Sequence, residues 1–124
     1  MAHQAYQLLV DIFDIPPERT DPLRIPKQLE LLMENIRRAI AMKRLRRPRY
    51  FYVDAPDKAW GPGTSGDTLI INSHLAAHGL QNRRALHFDL FSCELFDADL
   101  VCRMLAEAFG GRMRRHVIDR SDLG

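Results

Sequence analysis

Apolar residues follow a strand-like pattern in two long stretches of the chain, Tyr6–Phe13 and Ala85–Phe91. In the first stretch Leu8, Val10 and Ile12 share one face, and in the second every other residue is apolar. Both patterns predict strands that bury one face. Shorter aromatic, β-branched or apolar runs predict three further strands: Tyr50–Val53, Thr68–Asn72 and, more weakly, Arg112–Asp119.

Two other stretches repeat apolar residues with the helical period of three to four positions. The first begins near Pro26, a residue that suits the first turn of a helix. The second opens with Asp97 and Asp99, whose carboxylates complement the positive end of a helix dipole, and it ends at Gly110-Gly111, a pair suited to a left-handed cap. The apolar stripes are Leu29, Leu32, Met33, Ile36 and Ile40 in the first helix, and Leu100, Val101, Met104, Leu105 and Ala108 in the second.

The predicted order of elements is therefore β-α-β-β-β-α-β, with Asp54–Gly66 as a loop and His74–Asn82 as a connection interrupted at Gly79. Strands outnumber helices, and each helix has a single apolar side. We therefore expect a two-layer α/β (α+β) sandwich, in which a mostly antiparallel sheet carries both helices on one face. The apolar residues on the other face favour contact with a second subunit, so we expect a homodimer.

The length of 124 residues corresponds to a single domain, residues 1–124, which can bury a core without disulfides or a metal. Cys93 and Cys102 are expected to be reduced thiols, as is usual in a cytoplasmic protein. The first fifteen residues lack the pattern of a secretory signal, and no window is long and apolar enough to span a membrane. A cytoplasmic protein is the expectation.

A basic cluster stands out against the net charge of only +2. Such a cluster can bind phosphate, but cations near a helix end also offset the helix dipole, and the small net charge gives little long-range attraction. We therefore expect no nucleic-acid partner. The basic cluster consists of Lys43, Arg44, Arg46, Arg47 and Arg49.

Three histidines raise the alternative of a metal site: His74, His78 and His87. The first two are four residues apart, which would suit a ligand pair on a helix. No glutamate lies between them, however, and Gly79 interrupts any helix there. We therefore expect no metal.

Reactive side chains are concentrated at Ser65, Ser73, His78 and Cys93, with the spacing S-x7-S-x4-H-x14-C. They lie within the segments GTSGDTLIINSHLAAH and LHFDLFSC. This pattern resembles the prokaryotic S-adenosylmethionine decarboxylase family, in which GVSG, an apolar strand, ESHLxxH and a strand ending in DLFTC follow one another. QLLVDIF resembles the family's first strand, so the resemblance extends over most of the chain.

The resemblance implies an enzyme that makes its own pyruvoyl cofactor from Ser73. The serine at this position attacks the preceding carbonyl, here that of Asn72, and converts the amide into an ester. Elimination then cleaves the chain between residues 72 and 73. The second fragment begins with the pyruvoyl group, which would form a Schiff base with the α-amine of S-adenosylmethionine and accept the electrons released with carbon dioxide. The product would be the aminopropyl donor for polyamine synthesis, such as that of spermidine.

The resemblance also implies roles for the other three reactive residues. Ser65 and His78 match the positions that assist processing, and His78 is the candidate base for the elimination step because imidazole titrates near neutrality. Cys93 matches the acid that returns a proton to the α-carbon, and a thiol is largely protonated at neutral pH.

Several positions differ from the family pattern, and they leave the substrate open. Asn72 stands where the family has glutamate, and the segments before Ser65 and after His78 also differ. Trp60 lies in one of these segments, where it either stacks on the adenine of the substrate or anchors the loop. The alternatives are a decarboxylase of the same fold that acts on arginine or ornithine, and a non-processing paralogue that only binds.

Overall fold

A computed structural model describes residues 1–124 and contains one six-stranded sheet. The strands are β1 (Tyr6–Phe13), β2 (Arg49–Val53), β3 (Gly63–Ile70), β4 (Ser73–Leu80), β5 (Ala85–Ser92) and β6 (Arg112–Asp119). The helices are the short α1 (Asp21–Arg24), α2 (Pro26–Ala39) and α3 (Ala98–Phe109), and a 3-10 turn covers Pro17–Arg19.

The strands lie in the order β2-β3-β4-β5-β1-β6, and every neighbouring pair is antiparallel. The buried residues of the strands and the apolar stripes of α2 and α3 form one core, so both long helices cover the same face of the sheet. The prediction of an antiparallel two-layer α+β sandwich is confirmed. No helix is long and apolar enough to cross a membrane.

The predicted ends of α3 are confirmed, but Gly110, with φ 61° and ψ −143°, is not in the left-handed helical region that was expected for the cap. The Asp97 side chain accepts a hydrogen bond from the Leu100 amide at 3.0 Å, and Gly110 and Gly111, which follow the helix, both have positive φ angles. Cys102 is buried in the core, as expected for a residue on the apolar side of this helix.

The predicted order of elements lacked one strand, β4, and the short helix α1. The stretch expected to be a connection, His74–Asn82, forms most of β4, and β3 begins at Gly63 within the expected loop and ends at Ile70. The sequence signal was weak because β4 buries small residues, Ala77 and Gly79, on its core side. Gly79 is no break: a Cβ there would lie 2.9 Å from the Leu23 Cα, so glycine permits α1 to pack closely on the strand.

The face of the sheet opposite the helices is uncovered in the single chain. It combines ionisable side chains on the central strands with exposed apolar side chains on the outer ones, among them Phe51, which is 62% exposed, and Ile118. An open face of this composition is suited to contact with another protein surface.

Candidate active site

The candidate cleavage site lies at the tightest turn of the sheet. Ile70 pairs with Ser73, so only Ile71 and Asn72 connect β3 to β4. Asn72 has a φ angle of 57°, a left-handed conformation that asparagine tolerates better than most residues with a side chain. The bond between Asn72 and Ser73 therefore joins a strained turn residue to the first residue of a strand.

Ser73 and Cys93 lie together at this end of the sheet. The pairing of His74 with Phe91 brings the start of β4 next to the end of β5, and the Cys93 amide donates a hydrogen bond to Ser73 Oγ at 3.2 Å. Both residues line a cavity of about 400 Å³ together with the turn residues and Glu94. The hydroxyl proton of Ser73 is not used in this contact, since the oxygen accepts the hydrogen bond.

Ser65 and His78 form a second pair on the open face. They are directly opposite each other on β3 and β4, and Ser65 Oγ lies 2.9 Å from His78 Nδ1. The two side chains border a separate cavity of about 270 Å³, which Phe51 also lines. The Tyr50 ring packs closely against Gly66, the residue after Ser65. A Cβ at Gly66 would lie only 2.1 Å from this ring, so only glycine fits here.

The structure thus divides the four predicted residues into two pairs rather than one cluster. Ser73 and His78 are five positions apart on β4, so they face opposite sides of the sheet, and their Cα atoms are about 16 Å apart at the rise of an extended strand. A proton transfer requires approach to about 3 Å. In this conformation His78 therefore cannot serve Ser73 of the same chain.

Two aspartates that sequence reasoning missed complete the polar centre of the open face. Asp11 accepts a hydrogen bond from His87 Nδ1 at 2.6 Å and contacts Arg114, and Asp89 accepts one from Gln7. Burial alone would raise the pKa of Asp11, but the hydrogen bonds and charges of His87 and Arg114 outweigh it and hold that pKa below its usual value. Each aspartate is the one acidic residue in a largely apolar strand, β1 for Asp11 and β5 for Asp89, and this feature of the sequence could have identified them.

The histidines considered as metal ligands have other partners. His87 points away from the buried Phe88, as predicted, and contacts Asp11, while His74 lies 3.4 Å from Asp89 and stacks on Phe91. No group of three His, Cys, Asp or Glu side chains has an arrangement that could hold a metal ion.

Trp60 lies in the loop between β2 and β3 and is 50% exposed. The Lys58 ammonium lies 5.7 Å from the centre of its ring, a cation–π contact. Trp60 lines neither of the two cavities described above. Its role in stacking on a substrate remains a prediction.

The basic cluster lies beyond the last turn of α2, because the helix already ends at Ala39. It therefore does not offset the helix dipole in the way that the sequence suggested. Arg44 instead pairs with Glu34 at 2.9 Å, and Arg46 and Arg49 lie within 3.9 Å of Asp67. Three of the five cations thus have carboxylate partners within the chain.

Comparison with known proteins identifies a protein family that agrees with this fold and with the reactive residues described above. Residues 6–121 match the family model described as S-adenosylmethionine decarboxylase. The S-adenosylmethionine decarboxylase proenzymes of three Pseudomonas aeruginosa strains are each 30% identical to the chain over 119 residues, which are 95% of this chain and 67% of the relative. The chain belongs to the S-adenosylmethionine decarboxylase family.

A solved structure supports the fold independently. The crystal structure of the adenosylmethionine decarboxylase from Aquifex aeolicus VF5 is similar with a TM-score of 0.73 and 15% sequence identity, and the match covers 98% of this chain and 94% of that one. At this identity the similarity establishes the shared architecture.

Proposed function

We propose that the chain is a proenzyme that cleaves itself between Asn72 and Ser73 and then decarboxylates S-adenosylmethionine. The observation that carries the proposal is the position of Ser73: it follows a strained turn residue, its Oγ accepts a hydrogen bond from the Cys93 amide, and it borders a cavity. Family membership and the proenzyme relatives support the same chemistry. The product would donate an aminopropyl group in polyamine synthesis, in the cytoplasm.

Self-cleavage begins at the Ser73 hydroxyl. Its oxygen attacks the carbonyl carbon of Asn72, the bond from that carbon to the Ser73 nitrogen breaks, and the nitrogen takes up a proton to become an amine. The hydrogen bond from the Cys93 amide holds Ser73 Oγ in place during this attack, and in the later elimination it stabilises the negative charge that develops on the same oxygen as the Cβ–Oγ bond breaks. A base then removes the α-proton of Ser73, and elimination releases the Asn72 carboxylate. Hydrolysis of the remaining enamine releases ammonia and leaves a pyruvoyl group at the new terminus.

The pyruvoyl group, once formed, supplies an electron-withdrawing carbonyl for decarboxylation. Cys93 is the candidate to return a proton to the substrate, and its position at the same cavity as Ser73 supports this role. Glu94 borders the cavity as well and adds a carboxylate close to where the substrate would lie.

The active unit in this proposal is a homodimer, because within one chain the candidate base, His78, is too far from Ser73. The Ser65–His78 pair lies on the uncovered face, about 16 Å along β4 from Ser73. A second copy packed against this face, and reaching past the Ile71–Asn72 turn at the end of the sheet, would cover the exposed Phe51 and bring its own Ser65–His78 pair to the neighbouring cleavage site. Each of the two sites would then combine Ser73 and Cys93 of one chain with Ser65 and His78 of the other.

The test is the intact mass of the purified protein over time, together with release of carbon dioxide. We expect the 14.3 kDa chain to convert into fragments of 72 and 52 residues, the second beginning with a pyruvoyl group. Ser73→Ala should remain a single chain without decarboxylation. Ser121→Ala, a matched change at a serine that bonds the Ala5 backbone and does not line the cavity, should cleave normally.

The substrate is tested by assaying S-adenosylmethionine, arginine and ornithine side by side with the cleaved protein. Release of carbon dioxide from S-adenosylmethionine alone is the expected result. Preference for arginine or ornithine would keep the pyruvoyl mechanism but replace the substrate. A chain that stays intact after long incubation would instead indicate a non-processing binding protein.

A further inference from the structure

The segment that follows α2, residues 41–45, runs alongside the end of β3 and reaches the candidate cleavage site. The Leu45 amide donates a hydrogen bond to the Leu69 carbonyl at 2.7 Å, and the Ile71 amide donates one to the Lys43 carbonyl at 3.3 Å. The second bond is made by the residue just before Asn72. This segment, called the strap below, therefore restrains one side of the turn that contains the scissile bond.

The strap is anchored to a buried carboxylate on α2. Glu34 has a side chain only 5% exposed, and it accepts hydrogen bonds from Arg37 Nε and, at 2.9 Å, from Arg44 Nη1. Arg37 also donates to the Met42 carbonyl at 2.7 Å. Two arginines thus connect one buried carboxylate to the beginning and the end of the strap.

The charges of this anchor are maintained at neutral pH. Burial by itself would raise the pKa of Glu34, but the hydrogen bonds and charges of Arg37 and Arg44 outweigh it and keep that pKa below its usual value. An ionised Glu34 makes stronger, charge-assisted hydrogen bonds to the two guanidinium groups. The anchor is therefore a firm connection between the helix layer and the strap.

The strap also forms a wall of the cavity at the cleavage site. Met42 and Lys43 line it together with Asn72, Ser73 and Cys93. A shift of the strap would move both this wall and the hydrogen bond that holds Ile71. Intramolecular attack is sensitive to such shifts, because the attacking atom must be held close to the carbonyl carbon in a narrow range of directions.

We propose that Glu34 and Arg44 are positioning residues for self-cleavage, which hold the strap against the Ile71–Asn72 turn so that Ser73 Oγ stays near the Asn72 carbonyl. The inference rests on the proposed function, since it assigns these residues a part in that cleavage. It also gives a role to Arg44 and Lys43, two members of the basic cluster.

The experiment compares the cleavage rates of Arg44→Leu, Arg44→Lys and a control, Arg24→Leu. Arg44 and Arg24 are matched, since their side chains are 45% and 49% exposed and each pairs with one carboxylate, but Arg24 contacts Asp21 on α1 and does not touch the strap. We expect Arg44→Leu to cleave at least about tenfold more slowly than the parent chain, because misplacement of reacting groups by a fraction of an ångström to an ångström costs factors of this size. Arg44→Lys should recover much of the rate, and Arg24→Leu should match the parent.

Hydrogen exchange at the Ile71 amide separates positioning from general destabilisation. In a Ser73→Ala background, which cannot cleave, Arg44→Leu should speed exchange at Ile71 by about tenfold or more while the amides of β5 keep their protection, as expected for local opening. Equal acceleration at Ile71 and in β5 would show a global effect and overturn the inference. So would parent-like cleavage by Arg44→Leu, whereas failure of the unsubstituted chain to cleave would contradict the proposed function itself.

Discussion

Two variants, one unable to cleave and one that cleaves very slowly, should restore rapid cleavage when they are combined in one dimer. Ser73→Ala lacks the nucleophile, and His78→Ala lacks the imidazole that the structure places about 16 Å away along β4. Hydrogen-bond reach is about 3 Å, so in the proposed mechanism His78 would act on Ser73 across a subunit boundary. A mixed dimer then contains one site with the nucleophile of the His78→Ala chain and the intact imidazole of its partner.

The expected magnitude follows from symmetry. With equal co-expression and random pairing, about half of the His78→Ala chains lie in mixed dimers, so about half of them should cleave. Expressed alone, His78→Ala should cleave at least about 100-fold more slowly than the parent, the usual effect of removing a general base. Different tags on the two chains allow the fragments of each to be weighed by mass spectrometry.

The matched control replaces the Ser73→Ala partner with a chain that carries both Ser73→Ala and His78→Ala. This partner forms the same dimers but supplies no imidazole, so the His78→Ala chain should stay intact. If tagged mixed dimers are recovered and the His78→Ala chain still does not cleave beside the single Ser73→Ala variant, the shared site is refuted.

Three further results are expected. Cys93→Ala should still cleave at Asn72–Ser73, but its release of carbon dioxide from S-adenosylmethionine should fall by about 100-fold or more, as for loss of a general acid; unchanged release would remove Cys93 from this role. Trp60→Ala should cleave normally. If the Trp60 ring stacks on adenine, the variant should raise the KM for S-adenosylmethionine by about tenfold, since such stacking contributes about 1–3 kcal/mol. An unchanged KM would indicate that Trp60 only anchors the loop. Glu34→Gln should lower the free energy of unfolding at pH 7 by about 3 kcal/mol in denaturant titrations, because it leaves two arginines facing a neutral group. The pKa of Glu34 is held below its usual 4.5 in the folded protein. Its stabilising contribution is therefore present above pH 4.5 and is lost as the pH falls through the lower folded value. If the free energy of unfolding of the parent and of Glu34→Gln fell equally with decreasing pH, this reasoning would be contradicted.

Strong local patterns made β1, β5 and both long helices predictable. Each carries a full period of large apolar residues with clear ends, such as Pro26 in the first turn of α2 and Asp97 before α3. The strand β4 was not predictable in the same way, because Gly79 is typical of a break unless α1 is known to pack against it. A regular pattern of large apolar side chains indicates burial from the sequence alone. A buried glycine can be recognised only when the residues packed against it are known.

The sequence proposed a set of site residues but not their arrangement. The spacing of Ser65, Ser73, His78 and Cys93 pointed to one family, and the family match confirms that family; the roles of the four residues stay predictions. The spacing of residues along the chain does not indicate which of them are in contact in the folded protein. The strap and its Glu34 anchor were not visible either, because they join a helix, a loop and a strand turn that are separated in sequence.

By itself, the sequence determined the two-layer class of the fold and the family, since these depend on local periodicity and on residue chemistry, and it proposed the reactive side chains. Only the tertiary structure decided that Ser73 lies with Cys93 at the end of the sheet, while Ser65 lies with His78 on the uncovered face. The physical reason is strand register. In a pleated sheet an odd separation of five residues sends Ser73 and His78 to opposite faces, whereas antiparallel pairing brings Ser65 opposite His78 across thirteen positions of chain.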